Sequence, residues 1–245
     1  MSTQHIYDAV KHAARENLGA RQGTISYLDI GAGRGQLITQ LASELPVEAR
    51  ACDYHTELFS VASVPIDKVN LNVEKLPYAD DSFDLVTCSE VIEHVENYRA
   101  ILREAHRVLR KNGLLILTTP NVLNLKSRFR YLTAGFANLF GPLPIRNEKF
   151  YSTGGHITPI PYFYLAHALL DADFRDVKLS IDKKQKTSLM LLPFALPFLT
   201  LGWSMFLHKE QHKYKTVTQE NRSYVLSHRS LEILTGRTII VSATK

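Results

Sequence analysis

Cysteine is scarce in this chain: two among 245 residues, Cys52 and Cys88, both in strand-like surroundings without metal-type neighbours. A disulfide framework is excluded, and a reducing compartment fits. The N-terminus lacks the basic start, apolar run and small-residue cleavage site of a signal peptide. The expectation is a cytoplasmic chain that starts with an amphipathic helix over residues 6–18. No arginine-rich tract accompanies the net charge of +5, so the basic balance reads mainly as solvated surface. There is no internal repeat and no low-complexity tract. What remains is an ordinary globular composition, 45% apolar, in a length that suits one α/β domain with additions.

The most informative stretch runs Tyr27-Leu28-Asp29-Ile30-Gly31-Ala32-Gly33-Arg34-Gly35-Gln36-Leu37. It reads as a buried strand, a glycine turn and a helix. Glycines at Gly31, Gly33 and Gly35 let the backbone turn tightly and approach a ligand closely. A carboxylate at Asp29 would repel a pyrophosphate and welcome a cation. The ligand suggested is a nucleoside with an amino group and a positive centre.

Strand and helix alternate through the first half. Strands are expected at 26–30, 48–53, 69–73, 83–89 and 114–119, with helices at 36–44 and 98–109. Alternation of this kind argues a parallel sheet covered by helices on both faces. From 121 to about 157 the chain turns aromatic, basic and turn-rich, too long for a plain connection. A helix is expected at 158–171, a strand at 177–181, a helix at 224–234 and a last strand at 238–243.

Asp53 ends the second strand, where a carboxylate can accept hydrogen bonds from both ribose hydroxyls. Asn70-Leu71-Asn72 offers amides and backbone groups that can read an adenine edge. Two phrases follow: Leu76-Pro77-Tyr78-Ala79-Asp80-Asp81-Ser82-Phe83-Asp84 before the fourth strand, and Ser89-Glu90-Val91-Ile92-Glu93-His94-Val95 after it. With these, residues 26–121 resemble class I S-adenosylmethionine-dependent methyltransferases of the small-molecule or lipid-linked acceptor type. The resemblance implies a Rossmann-like, doubly wound α/β sheet of seven strands, mostly parallel with an antiparallel last strand. It implies S-adenosylmethionine as cofactor and no metal. Asp29 then lies near the methionine amino group, and Gly31, Gly33 and Gly35 leave room for the cofactor. Asp53 holds the ribose, Tyr54 packs on the adenine, and Asn72 and Val73 border it. Ser89 and Glu90 wall the methionine moiety. Asn70 stands where the family often has aspartate. Glu93 and His94 read as structural partners, with a base role for His94 as the alternative.

Methyl transfer from a sulfonium needs mainly in-line positioning, but an oxygen acceptor gains from a base. His156, in Thr153-Gly154-Gly155-His156-Ile157-Thr158-Pro159, is the candidate, against the reading of a capping histidine. Asn121, at the carboxyl edge of the sheet, is a candidate acceptor contact. Within a single domain over 1–245, residues 122–157 read as a substrate lid and 184–220 as an apolar and basic insertion.

In that insertion, 188–207 carry no charge, the length of a membrane span. Pro193 and Pro197 are expected to break a regular helix, and lysines flank both ends. The reading is a segment that dips into the inner membrane face and returns; the bland alternative is a buried helical pair or a dimer interface. The expected function is methylation of an oxygen on a small or lipid-linked acceptor, a glycan intermediate or isoprenoid quinone, by a cytoplasmic protein peripheral on that membrane face. Nucleic acid is not the expected partner. Two other classes remain. One is an NAD(P)-dependent oxidoreductase, disfavoured because Gln36 replaces the third glycine of its loop. The other is a non-enzymatic membrane-associated scaffold that keeps a cofactor-binding core.

Overall fold

The computed structural model describes residues 3–143 and 155–245. Seven strands form one sheet: β1 (Ile25–Ile30), β2 (Val47–Asp53), β3 (Ile66–Lys68), β4 (Phe83–Ser89), β5 (Leu109–Pro120), β6 (Arg175–Ile181) and β7 (Thr238–Thr244). Their order is β3-β2-β1-β4-β5-β7-β6. Pairing is parallel from β3 to β5, and β7 runs antiparallel to both β5 and β6. The doubly wound, mostly parallel sheet expected from the sequence is therefore present.

Helices cover both faces because the strands present apolar side chains to both. Ile25 and Tyr27 of β1 pack with Ile6, Val10, Leu37 and Leu41 of α1 (Gln4–Leu18) and α2 (Gln36–Ala42). Leu28 and Ile30 face the other way, toward Ile101 and Leu102 of α3 (Tyr98–Val108) and Leu165 and Leu169 of α5 (Tyr162–Asp171). Strand order reverses between β1 and β4, and the carboxyl ends of these strands open the crevice in which such sheets hold ligands.

Four expectations need correction. The third strand is residues 66–68, ahead of 69–73. Asn70 accepts a hydrogen bond from the Asn72 N–H at 3.1 Å, an asparagine turn that ends the extended run. The helix expected from 158 begins at Tyr162, because Pro159 and Pro161 hold the approach extended. The helix expected over 224–234 is two, α7 (Arg222–Ser227) and α8 (Leu231–Thr235), parted where Ser230 caps the second by accepting from the Ile233 N–H. Most telling, α6 (Lys186–Lys209) is one continuous helix through Pro193 and Pro197, where a break was expected. Each proline forfeits one backbone bond, yet its fixed φ is helical.

The first insertion contains α4 (Leu125–Ala134), capped by Asn124, whose side chain accepts from Ser127 N. α6 is rooted against it: Lys126 N donates to the buried Ser188 Oγ at 3.2 Å. Gln185 N donates to Thr235 O at 2.7 Å. Further along, Trp203 and Phe206 of α6 line a cavity with Phe163 of α5 and Val225 of α7. A stripe of half-buried residues, Leu191, Ala195, Leu199 and Trp203, thus faces the domain, with Ser188 the one buried residue of the helix. The opposite side is bare: Met190, Phe194, Phe198, Leu201 and Met205 are 66–79% exposed.

Asn121 illustrates how the insertions are held. It is buried, and its amide donates to Ile233 O at 2.8 Å and Gly236 O at 3.0 Å, while its oxygen accepts from Leu123 N at 3.0 Å. Replacing it with alanine strands two buried carbonyls. Asn121→Ala should lower the unfolding free energy by roughly 2–4 kcal/mol in urea titrations. A loss below about 1 kcal/mol would refute the anchoring role.

Candidate active site

A pocket at the carboxyl ends of β1, β2 and β4 is lined by Gly31, Asp53, Tyr54, Asn70, Asn72, Glu90 and His94, among others. The glycine turn builds its floor. Gly31 has φ +72°, and a Cβ there would stand 2.3 Å from Val91 Cγ2. Gly35 has φ +80° and would meet Val61 and Phe59. Side chains are excluded on two counts, strain and space. Asp53 braces the turn: its two oxygens accept from Gly33 N and His55 N, each at 2.8 Å.

Asp29 lies beneath the pocket, 2% exposed. Thr87 Oγ1 donates to its Oδ1 at 2.6 Å, and the Tyr27 hydroxyl lies 2.7 Å from that same Thr87 oxygen. Burial pushes the Asp29 carboxyl up to about 7, and the charge of Asp53 adds to the rise, while the Thr87 bond opposes it. A cation brought to the pocket would favour the ionised form.

Glu90 is held with φ +56°, a region that costs a non-glycine residue on the order of 1 kcal/mol or more. Its N–H points to Thr118 O at 3.1 Å, and Thr118 Oγ1 donates to its Oε1 at 3.1 Å. Burial raises Glu90 to about 7. Glu93, fully buried, accepts from Thr119 Oγ1 at 3.0 Å through Oε2, and its Oε1 has no partner. Burial, with the nearby Glu90 charge second, raises it to about 8, so Glu93 keeps its proton at neutral pH.

The sequence reading placed Asp29, Gly31, Gly33, Gly35, Asp53, Tyr54, Asn72, Val73, Ser89 and Glu90 around one ligand. Gly31, Asp53, Tyr54, Asn72 and Glu90 line the pocket. Asp29, Gly33 and Ser89 are not among its lining residues: Gly33 N donates to Asp53, and the Ser89 hydroxyl lies 3.1 Å from Thr118 Oγ1. Gly35 sits at the start of α2. Val73 lies outside, 79% exposed and lining a neighbouring groove, since the turn at Asn70 carries it away. Asn121 cannot serve as the acceptor contact expected of it, because both amide hydrogens are spent on Ile233 and Gly236.

His156 is brought to the site. Glu93 O accepts from the N–H groups of Ile157 and Thr158 at 2.9 and 3.0 Å, and His94 Nδ1 lies 2.9 Å from Gly155 O. The His94 and His156 rings stand edge to face, 4.7 Å apart. Of the motif around His156, Thr153 and Gly154 fall outside the described residues, as do 144–152 of the proposed lid. Burial, with the charge of His94 second, lowers His156 below its usual value of 6.5, so it is neutral at pH 7 with Nδ1 unpartnered. This pairing escaped the sequence reading, because Glu93-His94 and His156 are joined only by the fold. Among the described residues, the ligand atoms of Glu93, His94 and His156 lie within 4.8 Å of one another and could hold a metal ion if Glu93 released its proton; none was expected.

His156 also borders a second, larger cavity of about 890 Å³. Val122, Leu132, Phe136, Phe140, Leu143 and Ile157 line it, and Phe140 packs on the imidazole at 5.2 Å. The two histidines therefore stand between the more polar pocket, bordered by His94, and the more apolar cavity, bordered by His156.

Residues 28–117 match the family described as a methyltransferase domain. The ubiquinone biosynthesis O-methyltransferase of Xanthomonas oryzae pv. oryzae is 38% identical over 102 residues, covering 38% of this chain and 42% of that protein. The chain thus spans half or less of the length of the curated relatives it matches. A solved S-adenosylmethionine-dependent methyltransferase from Archaeoglobus fulgidus superposes with a TM-score of 0.58 at 19% identity, over 98% of this chain and 94% of that one. Haemonchus contortus phosphoethanolamine N-methyltransferase 2, solved with S-adenosyl-L-methionine, superposes at 0.54 and 16% identity, over 97% of this chain and 52% of that one. Over residues 28–117 the chain is thus similar to a methyltransferase domain, and its sheet has the fold of solved S-adenosylmethionine-dependent methyltransferases.

Proposed function

We propose that the chain transfers a methyl group from S-adenosylmethionine to an oxygen of a small or lipid-linked acceptor, and that it works at the cytoplasmic face of a membrane. The single observation that carries the reading is the His94–His156 pair between the two cavities. A donor in the polar pocket and an acceptor in the apolar one would meet at that wall. In this reading Asp53 holds the ribose and Tyr54 packs on the adenine. The buried Asp29 and Glu90 supply negative potential to the methionine ammonium and sulfonium. His156, neutral at pH 7, takes the proton from the acceptor hydroxyl while the sulfonium methyl is attacked in line. Residues 122–157 serve as the lid.

The membrane part rests on α6. It is the one helix, among the described residues, long and apolar enough to cross a membrane, with a mean hydropathy of 1.7. Its hydroxyls bond back into the helix, Thr200 to Leu196 O at 2.8 Å and Ser204 to Thr200 O at 2.9 Å, so they ask nothing of apolar surroundings. Lys183, Lys184 and Lys186 precede it, and Lys209, Lys213 and Lys215 follow it. With its other side committed to the domain, the helix is suited to lie in the interface rather than cross it. A glycan intermediate and an isoprenoid quinone are the two acceptor chemistries this setting admits.

Calorimetric titration with S-adenosylmethionine should show saturable binding, weakened roughly tenfold or more in Asp53→Ala; no heat of binding would end the enzyme reading. At saturating cofactor, whose positive charge keeps Asp29 and Glu90 ionised, kcat should be flat through neutral pH and fall on the acid side, below the ordinary histidine range. His156→Ala should lower kcat about a hundredfold and abolish that acid limb, with cofactor affinity unchanged. An intact acid limb in the variant would assign the base elsewhere.

A further inference from the structure

The larger cavity has a bottom and a mouth. Phe140 and Ile157 lie at the His156 end, and Phe140 is buried. Leu132, Tyr131, Phe136 and Leu143, which line the same space, are 82%, 65%, 41% and 42% exposed. These four mark where the cavity opens, and an opening ringed by such side chains is costly against water.

The mouth belongs to α4, and α4 packs against α6. The Lys126–Ser188 bond pins the start of one helix to the start of the other. The exposed Phe129 and Leu132 of α4 and the exposed Phe194 and Phe198 of α6 thus belong to two helices that pack against each other.

The lining also says what enters. Among the described residues its one charged side chain is Arg128, and that guanidinium is occupied: Nε donates to Leu123 O at 2.6 Å and Nη2 to His228 O at 3.1 Å. A sugar phosphate would find few partners among these residues. The volume lies at the upper end of the range for a drug-sized ligand.

We infer that the α4 cavity is a lateral portal: it takes the apolar chain of a lipid-borne acceptor directly from the bilayer and seats the acceptor's hydroxyl end at His156. The inference rests on the membrane reading above and narrows its acceptor to one whose chain, not a glycan, fills the cavity.

The chain has a single tryptophan, Trp203, which permits a clean test. In a Trp203→Phe background, a reporter is placed at the mouth by Leu132→Trp or on the outer face of α6 by Phe198→Trp; both positions are solvent-exposed. Each is mixed with phosphatidylcholine–phosphatidylglycerol vesicles whose acyl chains carry bromine. Quenching of both reporters to a similar extent is the expected result. Quenching at 198 alone would overturn the portal while leaving membrane contact intact. Quenching at neither would overturn the membrane reading and the portal with it. In solution, Leu143→Trp emission should shift to the blue with geraniol and stay unchanged with glucose 1-phosphate. No shift with geraniol, or a shift with the sugar phosphate, would overturn the apolar occupant. None of these readouts depends on turnover, so failure of the methyltransferase reading would show separately, as absence of cofactor binding.

Discussion

Glu93 fastens three segments at one point. Its side chain takes the Thr119 hydroxyl at the end of β5, its carbonyl takes two N–H groups from the close of the first insertion, and it belongs to the short turn that follows β4. That junction joins the direct contacts of His94 with Gly155 and His156 in fixing where His156 stands. The cost of the arrangement is a carboxyl kept out of water and raised to about 8. A protonated Glu93 puts no second negative charge beside Glu90, which makes the junction compatible with a carboxylate facing the ligand pocket.

The pocket at the glycine turn was legible in sequence because its requirements are local. Glycines at positive φ, a carboxylate one strand-length on, and apolar strands in alternation all leave marks within a few residues of one another. Local reading fails where the tertiary fold sets the outcome. Asn121 looks like a ligand contact by position but is consumed by Ile233 of α8 and Gly236 just after it, more than a hundred positions away. Val73 looks like an adenine contact until the turn at Asn70 is taken into account.

The prolines of α6 teach a related lesson. A break was expected because each proline removes a backbone bond, a penalty set for a helix in water with nothing else to hold it. Here the helix is held at its start by Ser188 and Gln185 and further along by Trp203 and Phe206. Tertiary attachment outweighs two missing bonds. The same attachment explains why the apolar run is divided, with one side on the protein and one side bare.

α6 departs just after β6 and the chain returns through α8 to β7, so the helix is an excursion between two neighbouring strands at one margin of the sheet. The bridge between Lys184 and Gly236 and the bond from Gln185 to Thr235 close the base of that excursion. A helix tethered this way cannot roll about its axis independently of the sheet. Any surface that accepts its bare face therefore dictates the attitude of the entire domain, as a keel sets the heading of a hull.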